Sequence, residues 1–324
     1  MKIRSVLTVS AAAGALLTCG VFAAGNAPAG RAASPQQNKS IQTIGADMMA
    51  DDLKSSTLNV PGASLYYEMR GQGPVLLVIP GGPQDAGVFA DLARHLADRY
   101  TVVTYDPRGN SRSRFDGEAM PLDVDVQADD AAALIEVVNN GPAYVFGTSG
   151  GAQIGLNLAA RHPGIVHALV AHEPPAMMLL DDPEPALAAD RDLHETYLNE
   201  GIEAAMGKFF AMNGLDGGAA PEFDLPPEAA ETFERVSGNF GYWLAHGMIP
   251  LSTYLPDIAA LKRRDAPVVV AIGDDSAGQP IDEMSRALAA KLGVDPASFP
   301  GDHMGFEMHA AAFAERLHRA FLDR

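Results

Sequence analysis

A strand can be apolar at every position only if both of its faces are covered, and Val75 to Ile79 is such a run. Similar short runs recur along the chain, separated by stretches whose apolar residues fall at helical spacing, and no fixed-length repeat accompanies them. Thr57 to Val60 and Ser64 to Met69 flank Pro61-Gly62 and read as a hairpin leading into the series. Helical spacing over Phe89 to Asp98 and Val124 to Val138 brackets the strand Thr101 to Tyr105. Ala143 to Phe146, the helix Gly150 to Arg161 and the strand Ile165 to Ala171 complete the regular part, punctuated at Pro163-Gly164. Alternation of this kind predicts an α/β fold with a mostly parallel central sheet flanked by helices.

The series breaks at Pro174-Pro175 and resumes with the strand Pro267 to Ile272. The helix Ile281 to Leu292, a strand over Ala297 to Phe299 and a C-terminal helix from about Glu307 follow. Residues 57–175 and 257–324 therefore form the expected core. Residues 176–256 form a helical insertion between two sheet strands, which sets it over the carboxyl edge of the sheet, where ligands bind in such folds.

Of the 324 residues, 47% are hydrophobic and 20% charged, enough to bury a large core. Acidic residues outnumber basic ones 41 to 23, a net charge of −18, so nucleic acid is excluded as a partner by repulsion of its phosphates. The single cysteine, Cys19, lies near the N-terminus, and the body of the chain has no thiol nucleophile, disulfide framework or cysteine metal site. Lys2 and Arg4 precede an uncharged run from Val6 to Ala24, within which Val21-Phe22-Ala23 fits a signal-peptidase site. Residues 1–23 are expected to be a cleaved signal peptide and the protein exported, periplasmic or extracellular, with no stable membrane insertion after cleavage. A buried N-terminal helix, an uncleaved anchor and a lipoprotein modified at Cys19 stay open as alternatives. Residues 24–56, rich in Ala, Gln, Asn, Ser and Gly, read as a flexible tether.

Gly147-Thr148-Ser149-Gly150-Gly151 fits G-x-S-x-G and sits between an expected strand and an expected helix. A serine on so sharp a turn is strained, with its hydroxyl exposed and the following helix offering amide dipoles to a developing anion. Ser149 is the expected nucleophile. A hydroxyl needs a base, and histidine is the side chain whose ordinary pKa, about 6.5, suits the task. His303, in the glycine-bracketed loop Pro300-Gly301-Asp302-His303-Met304-Gly305, can reach the sheet edge. His309 and His318 fall in the terminal helix, His95, His162 and His167 in the outer layer, and His194 and His246 in the insertion. The oxyanion requires two donors. One is the N–H of Gly150; the other comes from Pro80-Gly81-Gly82-Pro83, where Pro83 has no N–H and Gly82 is the expected donor.

From about Thr57 to its end, the chain resembles the α/β-hydrolase superfamily. The resemblance rests on four ordered motifs: Ile79-Pro80-Gly81-Gly82, Tyr105-Asp106-Pro107-Arg108-Gly109-Asn110-Ser111, the Ser149 turn, and Pro300-Gly301-Asp302-His303. It implies the order Ser, acid, His, a helical cap after the sixth strand, and no metal or organic cofactor. Asp106 and Arg108 belong to a structural turn of that fold. In many relatives the acid follows the strand matching Pro267 to Ile272 in a G-x-x-D turn, but Gly273-Asp274-Asp275-Ser276 has serine there. A second arrangement, found in haloalkane dehalogenases and zearalenone-opening lactonases, implies Glu173 in Ala171-His172-Glu173-Pro174-Pro175, with Asp275 and Asp274 as alternatives. Tyr66-Tyr67-Glu68 and Trp243, the sole tryptophan, are also similar to that lactonase group, and Trp243 is a candidate substrate contact or a cap core residue.

The function expected from these features is a secreted serine hydrolase that cleaves a small-molecule ester or lactone through an acyl-enzyme. An exported proline-iminopeptidase-like enzyme, suggested by Gly81-Gly82-Pro83, and a non-catalytic small-ligand-binding homologue are the alternatives. Dehalogenase and epoxide-hydrolase chemistry is disfavoured because both use aspartate where this chain has Ser149.

Overall fold

A computed structural model of the chain describes residues 53–139, 141–212 and 225–322. The expected signal peptide, Cys19 and nearly all of the tether lie outside the described residues. Among the described residues nine strands form one sheet: β1 (Lys54–Val60), β2 (Ala63–Arg70), β3 (Val75–Ile79), β4 (Thr101–Tyr105), β5 (Arg114–Phe115), β6 (Ala143–Thr148), β7 (Val166–His172), β8 (Val268–Gly273) and β9 (Ala297–Phe299). Their order is β1-β2-β4-β3-β6-β7-β8-β9, with β5 paired to β2. β1 and β2 pair antiparallel, β2 runs antiparallel to β4, and from β4 to β9 every pairing is parallel. The expected mostly parallel sheet is present.

The apolar run of β3 is fully buried, and the reason is visible in its two faces. Leu77 and Ile79 join Val103, Val145 and Leu158 in one core cluster, while Leu76 and Val78 join Phe146, Phe299 and Phe313 in another on the opposite face. The second cluster continues into the insertion through Leu193, Phe240, Leu244 and Met248, so the cap shares a core with one layer of the sandwich. Capping terminates the helices as local chemistry demands. The Asp123 side chain accepts from Asp125 N–H and Val126 N–H at the start of the helix Val124–Val138, and the helix Pro280–Leu292 ends on Gly293 at φ 78°.

Several boundaries differ from the sequence expectation. The hairpin is longer, since β1 begins at Lys54 and β2 ends at Arg70. β6 runs on to Thr148, where it pairs with His172. The expected helix over Phe89 to Asp98 is a 3-10 turn, Ala86–Phe89, followed by the helix Ala90–Leu96. The C-terminal helix is two pieces, Gly305–Met308 and Ala310–Leu322. β5, two residues long, has too little sequence to carry a period. In the insertion, the described residues form the helices Glu184–Glu200, Ile202–Met212, Pro227–Tyr242 and Met248–Ser252, with a π-helical segment, Trp243–Gly247, between the last two. No helix of the described residues is long and apolar enough to cross a membrane.

The topology fixes where chemistry can occur. From β3 the chain moves to β4 on one side, then crosses to β6 on the other, so the loops after β3 and β6 open a crevice at the carboxyl edge. The loops after β7, β8 and β9 leave the sheet at the same edge, as the registers Thr148 to His172, His172 to Ala271 and Gly273 to Phe299 require.

Candidate active site

Ser149 stands between β6 and the helix Gly150–Arg161 with φ 53° and ψ −127°, a conformation L-residues avoid at a cost of roughly 1–3 kcal/mol. Three contacts hold it there. Its N–H donates to the His172 carbonyl at 2.8 Å, and its own carbonyl accepts from Ala152 N–H at 2.9 Å and Gln153 N–H at 3.4 Å. The flanking glycines are dictated by crowding. A Cβ on Gly151 would lie 2.1 Å from the Ile79 carbonyl oxygen, and one on Gly147 would lie 2.4 Å from that of Gly151. The turn after β3 presses on the same point, for a Cβ on Gly81 would lie 2.7 Å from Ser149 Cβ.

Glu173 is the residue immediately after β7, and it too is forced to positive φ, at 46°. Its carboxylate is fully buried. Oε1 accepts from Gly273 N–H at 2.8 Å, and Oε2 pairs with His303 Nδ1 at 2.7 Å. Burial alone would raise this carboxyl's pKa. The hydrogen bond and charge of His303, the charge of His172 and the hydroxyl of Ser276 outweigh it and hold the group down at about 2. An ionised carboxylate has no proton to give, so the proton of the pair is on Nδ1, and His303 Nε2 is left as the basic nitrogen. The loop carrying His303 is itself braced, with Asp302 Oδ1 accepting from Met304 N–H at 2.9 Å and the Gly301 carbonyl accepting from Asp275 N–H at 2.9 Å.

The alternative acids are elsewhere. Asp274 and Asp275 are exposed; Asp274 accepts from the Ser298 hydroxyl, and neither carboxylate bonds His303. The buried member of that turn is Ser276, whose hydroxyl lies beside Glu173. Serine at the position that carries the acid in many relatives is therefore matched by a carboxylate arriving from β7. Among the described residues no hydrogen bond joins the Ser149 hydroxyl to His303, whose bond to Glu173 is made through Nδ1.

The two expected oxyanion donors are distinguished by what is already taken. Gly81 N–H donates to Gln84 Oε1 at 2.9 Å, and no described hydrogen bond uses the N–H of Gly82 or of Gly150. Each of those two glycines is covered by an apolar cap side chain. A Cβ on Gly82, which has φ 40°, would meet the Trp243 ring at 3.3 Å, and one on Gly150 would meet Leu251 at 2.6 Å. Trp243 packs edge-on against Phe209 and Phe240, so it is a cap core residue that also faces the site. The cavity bounded by Pro80, Gly82, Ile154, Tyr242, Trp243 and Leu251 measures about 10 Å³, room for about one water molecule. A larger groove of about 300 Å³ lies between His194, Leu244, His246 and Ile249, and none of the expected catalytic residues lines it. Tyr66 and Glu68 serve the fold, the phenol donating to Glu68 Oε1 at 3.1 Å and Arg112 donating to the same oxygen at 2.9 Å. Asp106 likewise binds Arg112 and the Ala86 N–H, and Arg108 binds Asp130. No group of three or more His, Cys, Asp or Glu side chains among the described residues could hold a metal ion.

Sequence reasoning missed His172. It is fully buried, its Nδ1 pairs with the Thr148 hydroxyl at 3.0 Å, and its ring stacks 6.2 Å from that of His303. Burial pushes its pKa down from 6.5 to about 4, with the charge of Glu173 opposing and that of His303 adding. The unfolded chain binds this proton near pH 6.5 and the native protein only near pH 4, so stability falls as pH drops between those values. Glu173 acts in a lower window, its contribution being complete above its ordinary 4.5 and lost toward 2. His172→Leu should shrink the stability difference between pH 7 and pH 5 by about 2 kcal/mol, measured by urea denaturation at both pH values. An unchanged difference would show that His172 does not titrate in this way.

Residues 74–309 match the family model described as alpha/beta hydrolase fold. The chain is 37% identical over 272 residues to the uncharacterized hydrolase YraK of Bacillus subtilis (strain 168), covering 82% of this chain and 95% of that protein. It is 26% identical over 269 residues to the zearalenone hydrolase of Bionectria ochroleuca, covering 80% and 95% respectively. Among solved structures, the malate-bound thermophilic esterase from Thermogutta terrifontis matches with a TM-score of 0.64 at 19% identity, over 83% of this chain and 98% of that one, a likeness of fold. With its sheet, its order of motifs and a match spanning most of its length, the chain belongs to the alpha/beta hydrolase fold family and is a hydrolase.

Proposed function

We propose that the protein is a serine hydrolase that cleaves a carboxylic ester or lactone through an acyl-enzyme, exported by way of residues 1–23. Ser149 Oγ attacks the carbonyl carbon while its proton passes to His303 Nε2. Glu173, ionised and bonded to Nδ1, holds the ring in the required tautomer and stabilises the imidazolium that forms. The N–H groups of Gly82 and Gly150 receive the oxyanion. When the intermediate collapses, the C–O bond to the alcohol breaks and His303 returns the proton to the departing oxygen. Water, deprotonated by the same nitrogen, then attacks the acyl-enzyme and releases the acid. For a lactone the alcohol stays attached to the acyl group, and one hydroxy acid leaves.

The observation that carries this reading is the 2.7 Å pair between His303 Nδ1 and a fully buried Glu173 carboxylate, formed at the same sheet edge as the strained Ser149. The names of two relatives, a zearalenone hydrolase and an esterase, agree with ester or lactone chemistry. The test is a panel of ester, lactone and aminoacyl substrates offered to the purified protein, together with a fluorophosphonate probe. Turnover of an ester or lactone with stoichiometric labelling is expected. Folded protein that turns over only aminoacyl substrates, or that takes no label, would overturn the reading.

A further inference from the structure

The direction of the Gly82 N–H is set by the other end of its own peptide unit. The Gly81 carbonyl accepts from Gln84 N–H at 2.9 Å, so the N–H across that plane points the opposite way. The aim of the donor therefore depends on where Gln84 is held. Two asparagines hold that stretch of backbone. Asn110, from the turn after β4, donates through Nδ2 to the carbonyls of Gly82 at 3.1 Å and Gln84 at 2.9 Å. The intervening carbonyl, that of Pro83, accepts at 2.8 Å from Nδ2 of Asn239, which belongs to the cap helix Pro227–Tyr242.

Asn239 is buried and committed. Its Nδ2 also donates to Ser111 Oγ at 2.9 Å, and its Oδ1 accepts from Ser111 N–H at 2.7 Å, where Ser111 sits at φ 48°. One turn earlier on the same helix, Arg235 Nε donates at 2.7 Å to Oδ2 of Asp85, a fully buried carboxylate whose Oδ1 accepts from Gly87 N–H. One turn later, Trp243 lies against Gly82. Three successive positions on one helical face thus clamp one loop.

We propose that Asn239 is a positioning residue for the oxyanion hole, holding Pro83 and hence Gln84 so that the Gly82 N–H faces the reacting carbonyl only while the cap helix is docked. The proposal rests on the serine-hydrolase reading above and adds that the cap, which gives the reaction no reacting atom, completes the site.

Asn239→Asp keeps the shape and the acceptor for Ser111 N–H but removes the donor to Pro83. Asn239→Ser removes both reaches. Ser111→Ala leaves the Pro83 bond in place. With p-nitrophenyl acetate as substrate, Asn239→Asp and Asn239→Ser should lower kcat by about 10- to 100-fold with KM within about threefold, because the missing interaction is made only in the transition state. Inhibition by trifluoroacetone, which adds to the serine and places its oxyanion in the hole, should weaken by the same factor, a change that a merely structural role would not produce. Ser111→Ala should stay within about threefold of the wild type in both measurements. An Asn239 variant that melts near the wild-type temperature and keeps its kcat and its trifluoroacetone affinity would overturn the proposal while leaving the hydrolase reading intact. Wild-type protein that neither hydrolyses the ester nor takes a fluorophosphonate would overturn both.

Discussion

Ser149→Ala should remove all fluorophosphonate labelling and lower turnover of the best ester or lactone substrate by at least about 10⁴-fold, with the fold and melting temperature preserved. The size follows from the chemistry: alanine leaves no atom to form the acyl-enzyme, and the residual rate is what the two backbone donors and substrate positioning supply to direct attack by water. Stability should hold or rise slightly. The strain of φ 53° is imposed by the surrounding backbone, through the His172 carbonyl on one side and Ala152 and Gln153 on the other, and the hydroxyl makes no described hydrogen bond that alanine would lose. Steady-state kinetics with intact-mass measurement after probe treatment decides the matter. Turnover within tenfold of the wild type would move the nucleophile to another residue.

Glu173→Gln should cost about 10³- to 10⁴-fold in kcat, whereas Asp275→Asn should stay within about twofold. Glutamine fits the cavity and its oxygen can keep the bond from Gly273 N–H, but that turns its NH₂ toward His303 Nδ1. The ring then carries its proton on Nε2, facing the serine, and can no longer accept one. The charge that would have stabilised the imidazolium is gone as well. Asp275 is exposed and its carboxylate touches no part of this arrangement. A ranking in which Asp275→Asn is the damaging change would place the acid in the later loop.

The fold was legible from local signals because those signals are local in origin. A run such as Val75 to Ile79 is apolar at each position because both faces are covered, and that requirement is written in five consecutive residues. Gly147 was legible for the same reason, since the crowding it relieves comes from Gly151 and Ala152 in the turn itself, whereas Gly151 relieves crowding from Ile79 and Pro80 at the distant end of β3. Glu173 against Asp274 or Asp275 was a different kind of question. All three follow strands that end at the same edge, and the choice turns on which side chain points inward. A positive φ at Glu173 accompanies its bond to His303, and a 3-10 turn buries Ser276 while exposing Asp274 and Asp275; neither feature has a signature in the order of residues.

His172, Gln84 and Asn239 were invisible for a further reason. Each is an ordinary residue in its own segment and acquires a role only through partners from distant parts of the chain: Asn239 meets Pro83 and Ser111, and Gln84 Nε2 reaches Met304 Sδ at 3.7 Å beside His303. The amino-acid order by itself determined the parallel sheet and the strand-to-helix turn bearing Ser149, since periodicity acts between near neighbours, while the order of serine, acid and histidine came from resemblance to the α/β-hydrolase superfamily. Tertiary structure alone decided which carboxylate meets the imidazole, which glycine N–H stays unpaired and which cap residues brace it, because those outcomes depend on side-chain directions and carbonyl positions fixed only when separate segments pack together.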